Sequence, residues 1–151
     1  MASSYNYDWT KEAPSAYEIH TAWFPYEDTN GEGVKLRPCL VLNVWKGKSS
    51  GLYKVRIAYG TRKLKLIERP QDLVVQNSRD LDDIGLPCAT RFDLDQVADV
   101  IWSEENFGCW PDAVSPYVGS LTEEYIKNYL WLMAMRQRRR QVLANAERGD
   151  A

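Results

Sequence analysis

Arg91 and Asp93 stand two residues apart in the segment Thr90-Arg91-Phe92-Asp93. In an extended strand, side chains two apart project from the same face. A guanidinium and a carboxylate so placed form an ordinary ion pair, or two groups able to address one phosphodiester. Arg37 precedes Pro38 at the head of an apolar run. There it caps a strand edge or pairs with Glu32, and its planar fork also suits a bidentate phosphate. His20 is the one histidine of the chain; it can shuttle a proton, although a lone histidine in a strand is more often a hydrogen-bonded structural group. Cys39 lies inside an apolar run and reads as a small buried hydrophobe rather than a nucleophile. Cys39, Cys88 and Cys109 are widely spaced, with no Cys-x-x-Cys pair. Neither a disulfide framework nor a zinc site is expected, and no cofactor.

The formal charge of −2 supplies no global field to attract a polyanion, so any nucleic-acid contact must rest on a local patch. Basic residues gather in Arg62-Lys63-Leu64-Lys65 and in Arg136 with Arg138-Arg139-Arg140; acids gather in Asp80, Asp82 and Asp83 and in Glu104-Glu105. Such runs read first as solvated faces. The Arg136–Arg140 cluster suits a helix C-terminus through the dipole, or phosphates, or an acidic peptide. Trp23, Trp45, Trp102, Trp110 and Trp131 are mostly core candidates, while Trp9 and Trp110, beside Pro111, are placed to stack on bases.

The elements that must position these groups follow from local pattern. At 151 residues one domain with its own core is expected. Residues 1–17 read as a polar tail that docks only in part, residues 18–118 as a β-barrel, and residues 119–146 as a C-terminal helix packed on it. Expected strands run from Glu18 to Phe24, Pro38 to Trp45, Leu52 to Tyr59, Lys63 to Ile67, Leu73 to Val75 and Cys88 to Phe92, with Gln96 to Trp102 a strand or one helical turn. Pro38–Trp45 is apolar on both faces, as a central strand requires. In Leu52–Tyr59, Tyr53, Val55, Ile57 and Tyr59 share one face and Lys54 and Arg56 the other. Ser120 with Glu123 forms a capping-box pattern, and a helix from Leu121 to about Asn145 is expected, its core stripe formed by Tyr125, Ile126, Tyr129, Leu130 and Met133 and thinning beyond Met135. The first twenty residues hold no apolar run of signal-peptide kind, and none elsewhere approaches a membrane span. A cytoplasmic protein without membrane contact is expected.

The segment Ile19-His20-Thr21-Ala22-Trp23-Phe24-Pro25, a Gly-containing loop, and Arg37-Pro38-Cys39-Leu40-Val41-Leu42 resemble the opening of PemK/MazF-like toxins of type II toxin-antitoxin systems. Similarity continues through Val55–Thr61, Thr90-Arg91-Phe92-Asp93 and Gly119-Ser120-Leu121-Thr122. The resemblance implies an SH3-like barrel, a homodimer, an antitoxin partner, and metal-independent cleavage of single-stranded RNA by attack of the ribose 2′-hydroxyl on the neighbouring phosphorus. It places Arg37 at the arginine of the Arg-Pro motif as a phosphate or transition-state contact. Arg91 and Asp93 match an acid and base pair of one branch of the family, and Thr61 the threonine of the other. His20 is a further catalytic candidate, and Lys35, Arg62, Lys63 and Lys65 are RNA-binding candidates. The alternative reading, motivated by the net acidity, is a non-catalytic barrel that binds nucleic acid or a protein partner.

Overall fold

The computed structural model describes residues 9, 13–23, 35–64 and 71–149. Along the chain it runs β1 (Glu18–Trp23), β2 (Leu36–Lys46), β3 (Tyr53–Thr61), β4 (Leu73–Val75), α1 (Ser78–Ile84), β5 (Thr90–Ile101), β6 (Tyr117–Ser120) and α2 (Glu123–Glu147). All six strands join one sheet in the order β4-β5-β3-β2-β1-β6, and every neighbouring pair is antiparallel. The sheet curls into a half-barrel closed by α2, so the protein is mainly β with a C-terminal helix, in a single domain. Among the described residues, no helix is long and apolar enough to cross a membrane.

Strand β5 supplies much of the curl. Its two halves pair with β3 on either side of an irregularity: Ala58 lies opposite Val97, but the next residue, Tyr59, lies opposite Asp93. The extra residues between Asp93 and Val97 bend the strand, as bulges do. Both faces of the sheet are covered. On one, Ile19, Leu40, Ala58 and Phe92 pack against Ile84 of α1 and Tyr129 and Leu132 of α2. On the other, Cys39, Val41, Val55 and Ile57 pack beneath Trp102 and Phe107. Full burial of a side chain of this size contributes about 1.5–3 kcal/mol. Double coverage explains why β2 is apolar on both faces.

Several local expectations are corrected. The helix starts later than the capping-box pattern suggests: its N-cap is Thr122, without a side-chain cap hydrogen bond, and Ser120 belongs to β6. The register of β6 against β1 claims Ser120 for the sheet first. The acids Asp80, Asp82 and Asp83 belong to the short helix α1, capped by Asn77, whose side chain accepts from the Arg79 amide. It ends at Gly85 with φ 105°, a left-handed conformation that favours glycine. The candidates Cys88–Phe92 and Gln96–Trp102 merge into β5, which begins at Thr90. Lys63 and Leu64 lie outside any strand, and residues 65–67 of that candidate fall outside the described residues. On α2, Leu130 is exposed while Leu132 is buried. Trp102 is a core residue, whereas Trp23, Trp45 and Trp131 are exposed.

Of the N-terminal segment, Tyr17 is docked at a positive φ of 73°. Its amide donates to the Val41 carbonyl at 2.7 Å, its carbonyl accepts from the Leu121 amide at 2.9 Å, and its ring meets Tyr129 edge-on at 5.7 Å. The residue ahead of β1 thus ties β2 to the start of α2.

Candidate functional site

At one end of the sheet the beginning of β2 and the end of β3 open a cleft of about 390 Å³, within the usual range of ligand pockets. Lys35 and Arg37 come from β2 and the residue before it; Arg62 and Lys63 come from the turn after β3. Leu36, Pro38 and Pro87 are its apolar surfaces, Thr61, Thr90 and Cys88 add two hydroxyls and a thiol, and Trp110 reaches it from the loop between β5 and β6. Among the described residues, four cationic side chains and no carboxylate line it. Such a lining makes a local anion site on a chain of net negative charge.

The backbone that shapes this cleft depends on Gly60. A Cβ there would fall 1.9 Å from the Pro38 carbonyl oxygen, so only glycine lets β2 and β3 approach this closely. The next residue, Thr61, is buried, and its Oγ1 accepts from the Lys63 amide at 3.1 Å. That local turn aims residues 62 and 63 into the cleft. Arg37 lies over the Tyr59 ring at 5.2 Å. The contact preorganises a guanidinium whose fork matches a phosphate.

Arg91 and Asp93 do share a face, with Arg91 Nη1 3.6 Å from Asp93 Oδ2. Both are buried, and neither lines the cleft. Arg91 Nη1 donates to Asp72 Oδ2 at 2.7 Å, and its Nε donates to the Lys63 carbonyl at 2.8 Å. Asp93 accepts from the Asp95 amide at 3.0 Å and from Gln96 Nε2 at 3.1 Å. Arg136 of α2 joins the same group, donating to Asp72 Oδ1 at 3.2 Å, to Asp95 Oδ1 at 3.1 Å and to the Gln71 carbonyl at 2.6 Å. Carboxylate oxygens of Asp72, Asp93 and Asp95 lie within 4.8 Å of one another. Two guanidinium groups interleave with them, so the cluster is already held together by fixed cations. The arginine that the sequence singles out therefore touches the cleft through a backbone carbonyl: it positions Lys63.

His20 lies elsewhere, on β1. Its Nε2 bonds Glu18 Oε1 at 2.9 Å, and its ring meets Trp102 edge-on at 5.2 Å and Tyr117 at 5.5 Å. Nδ1 is buried without a hydrogen-bond partner among the described residues. Burial pushes the pKa of His20 below its ordinary value, and the Glu18 carboxylate offsets this in part. Cys39 is fully buried, and burial pushes its thiol up to about 12, which leaves it a thiol at neutral pH.

The structure thus gathers Lys35, Arg37, Thr61, Arg62 and Lys63 around one cleft, with Arg91 behind its wall and Asp93 and His20 outside it. Lys65 lies outside the described residues, as does Glu32. Sequence reasoning missed Thr90, Pro87 and Cys88 as cleft residues, because the pairing of β5 with the end of β3 brings them there and the local sequence does not show it. It also missed Asp72 and the buried role of Arg136. The latter carried a signal: Tyr129, Leu132 and Arg136 recur at helical spacing, so the arginine occupies the inward stripe and needs a buried partner.

No family model matches the chain, and no curated protein matches it significantly.

Proposed function

We propose that the cationic cleft binds single-stranded RNA and that the protein is a metal-independent endoribonuclease of PemK/MazF-like kind. The observation that carries this reading is the concentration of Lys35, Arg37, Arg62 and Lys63 in one cleft that, among the described residues, no carboxylate lines. Phosphates of a flexible strand fit such a patch, and the affinity comes largely from ion release.

In the reaction a ribose 2′-hydroxyl gives its proton to water and its oxygen bonds the adjacent phosphorus. The bond to the 5′-oxygen breaks, and that oxygen takes up a proton, leaving a cyclic phosphate and a free 5′-hydroxyl. Arg37 holds the two non-bridging oxygens, on which negative charge grows, and Lys63, anchored by Arg91, holds a flanking phosphate. Thr61 fixes the turn that presents Lys63. The antitoxin partner and the homodimer belong to the same reading and rest on the resemblance, and a cytoplasmic location is part of the proposal.

A second reading, binding without cleavage, is favoured by the enclosure of Arg91 and Asp93 in the ion-pair cluster, since the acid and base pair of the resemblance does not face the cleft. Incubation of the protein with a long single-stranded RNA in EDTA separates the two. Discrete fragments with cyclic-phosphate and 5′-hydroxyl ends support cleavage. Intact RNA that is nevertheless retained by the protein leaves the binding module, and intact RNA without retention overturns both.

A further inference from the structure

The loop from Trp102 to Pro116 is pinned to β1 at Gly108 in its middle and at Pro116 at its end. Thr21 Oγ1 donates to the carbonyls of Gly108 and Pro116, the Gly108 amide donates to the Thr21 carbonyl at 3.2 Å, and the Thr21 amide to that of Pro116 at 2.8 Å. At its tip the Ala113 amide donates to the Trp110 carbonyl at 3.0 Å, around Asp112 with φ 69°. Between these anchors Trp110 reaches the cleft half-buried. The core of this side is already filled by Trp102 and Phe107, with ring centroids 4.5 Å apart. An indole on a braced loop beside four cations has another use.

We propose that Trp110 is the specificity-determining residue of the cleft, stacking on one unpaired base next to the phosphate that Arg37 holds. This rests on the cleft being a nucleic-acid site and adds what the cations cannot supply. Phosphate contacts read only the backbone, which duplex and single strand share. A π-face reads a base that has left its helix, and does so whatever the base. Because the loop is held before binding, little ordering entropy opposes the stack.

The test compares two fluorescently labelled oligomers of equal length by anisotropy: an oligouridylate with uncleavable 2′-O-methyl sugars, and an abasic oligomer with the same backbone. For the wild type the base-bearing oligomer should bind about tenfold tighter, as expected for one stacked base. W110A should bring the two together by weakening the base-bearing oligomer, and W110F should retain most of the difference. If both oligomers bind the wild type equally, or W110A keeps the full difference, the stacking role is overturned while the cleft reading stands. If neither binds at low salt, the cleft reading fails and takes this inference with it.

Discussion

Asp72 presents one carboxylate oxygen to each of two arginines: Oδ2 accepts from Arg91 Nη1 at 2.7 Å and Oδ1 from Arg136 Nη2 at 3.2 Å. All three side chains are at least nine-tenths buried. The carboxylate is thereby the common counter-ion of a strand and a helix that lie far apart in sequence.

Removing that shared partner leaves two buried guanidinium groups short of one. D72A should destabilise the protein by about 3–5 kcal/mol, the range for breaking a buried pair from one side. The denaturation midpoint in urea measures this. D72N, which keeps an acceptor oxygen, should lose less.

The close approach of β2 and β3 predicts that G60A is destabilising by about 1–3 kcal/mol, as for other overpacked sites, because its Cβ would meet the Pro38 carbonyl rather than a side chain able to move. Thermal unfolding checks the loss. Anion affinity should fall with it, since Pro38, Gly60 and Thr61 all line the cleft.

Arg37 and Lys63 lie on the cleft and outside the core, so R37A and K63A should keep the fold and weaken single-stranded RNA binding. Removing one phosphate-binding cation should make the slope of log K against log salt shallower by about 0.7. A titration series in salt reads this directly. An unchanged slope in both variants would remove these residues from the phosphate path.

His20 gives the pH dependence. Its pKa in the folded protein lies below the ordinary 6.5, so below that pH the unfolded chain binds more protons than the folded one. Its contribution to stability is full above pH 6.5 and is lost as pH falls from there through the lowered folded value. Thermal midpoints at pH 7.5 and 5.5 should separate in the wild type. In H20F the part of the separation due to this imidazole should vanish.

How far the sequence reached depended on whether a residue's neighbours are local. The alternation of Tyr53, Val55, Ile57 and Tyr59 reported strand β3 and its buried face correctly, because period and burial are set within the strand itself. The long helix was legible for the same reason. The capping box at Ser120 misled, since pairing with β1 is a tertiary contact that outranks a local cap. Leu130 misled for another reason: the stripe of α2 that meets the core runs through Tyr125, Ile126, Tyr129, Leu132 and Met133, and Leu130 falls outside it. At the candidate site Arg37, Thr61, Arg62 and Lys63 line one cleft, a juxtaposition that strand pairing makes and the local sequence does not show. The same-face geometry of Arg91 and Asp93 was legible. Their enclosure was not, because it is made by Asp72 and Arg136, which are brought in by the edge strand and the helix.

Helix α2 continues from Gln137 to Glu147 with its side chains exposed or half-exposed, although its last buried residue is Arg136. Two tiers of protection follow. Amides in the first half can exchange with solvent only when the sheet releases Tyr129, Leu132 and Arg136, which requires an opening close to global unfolding. Those in the second half depend on helix propensity and open turn by turn from the end, at little free-energy cost. Deuterium should therefore enter the outer turns long before the inner ones. Limited proteolysis should shorten the helix toward Arg136 and halt there, leaving the half-barrel, its ion-pair cluster and the cleft intact.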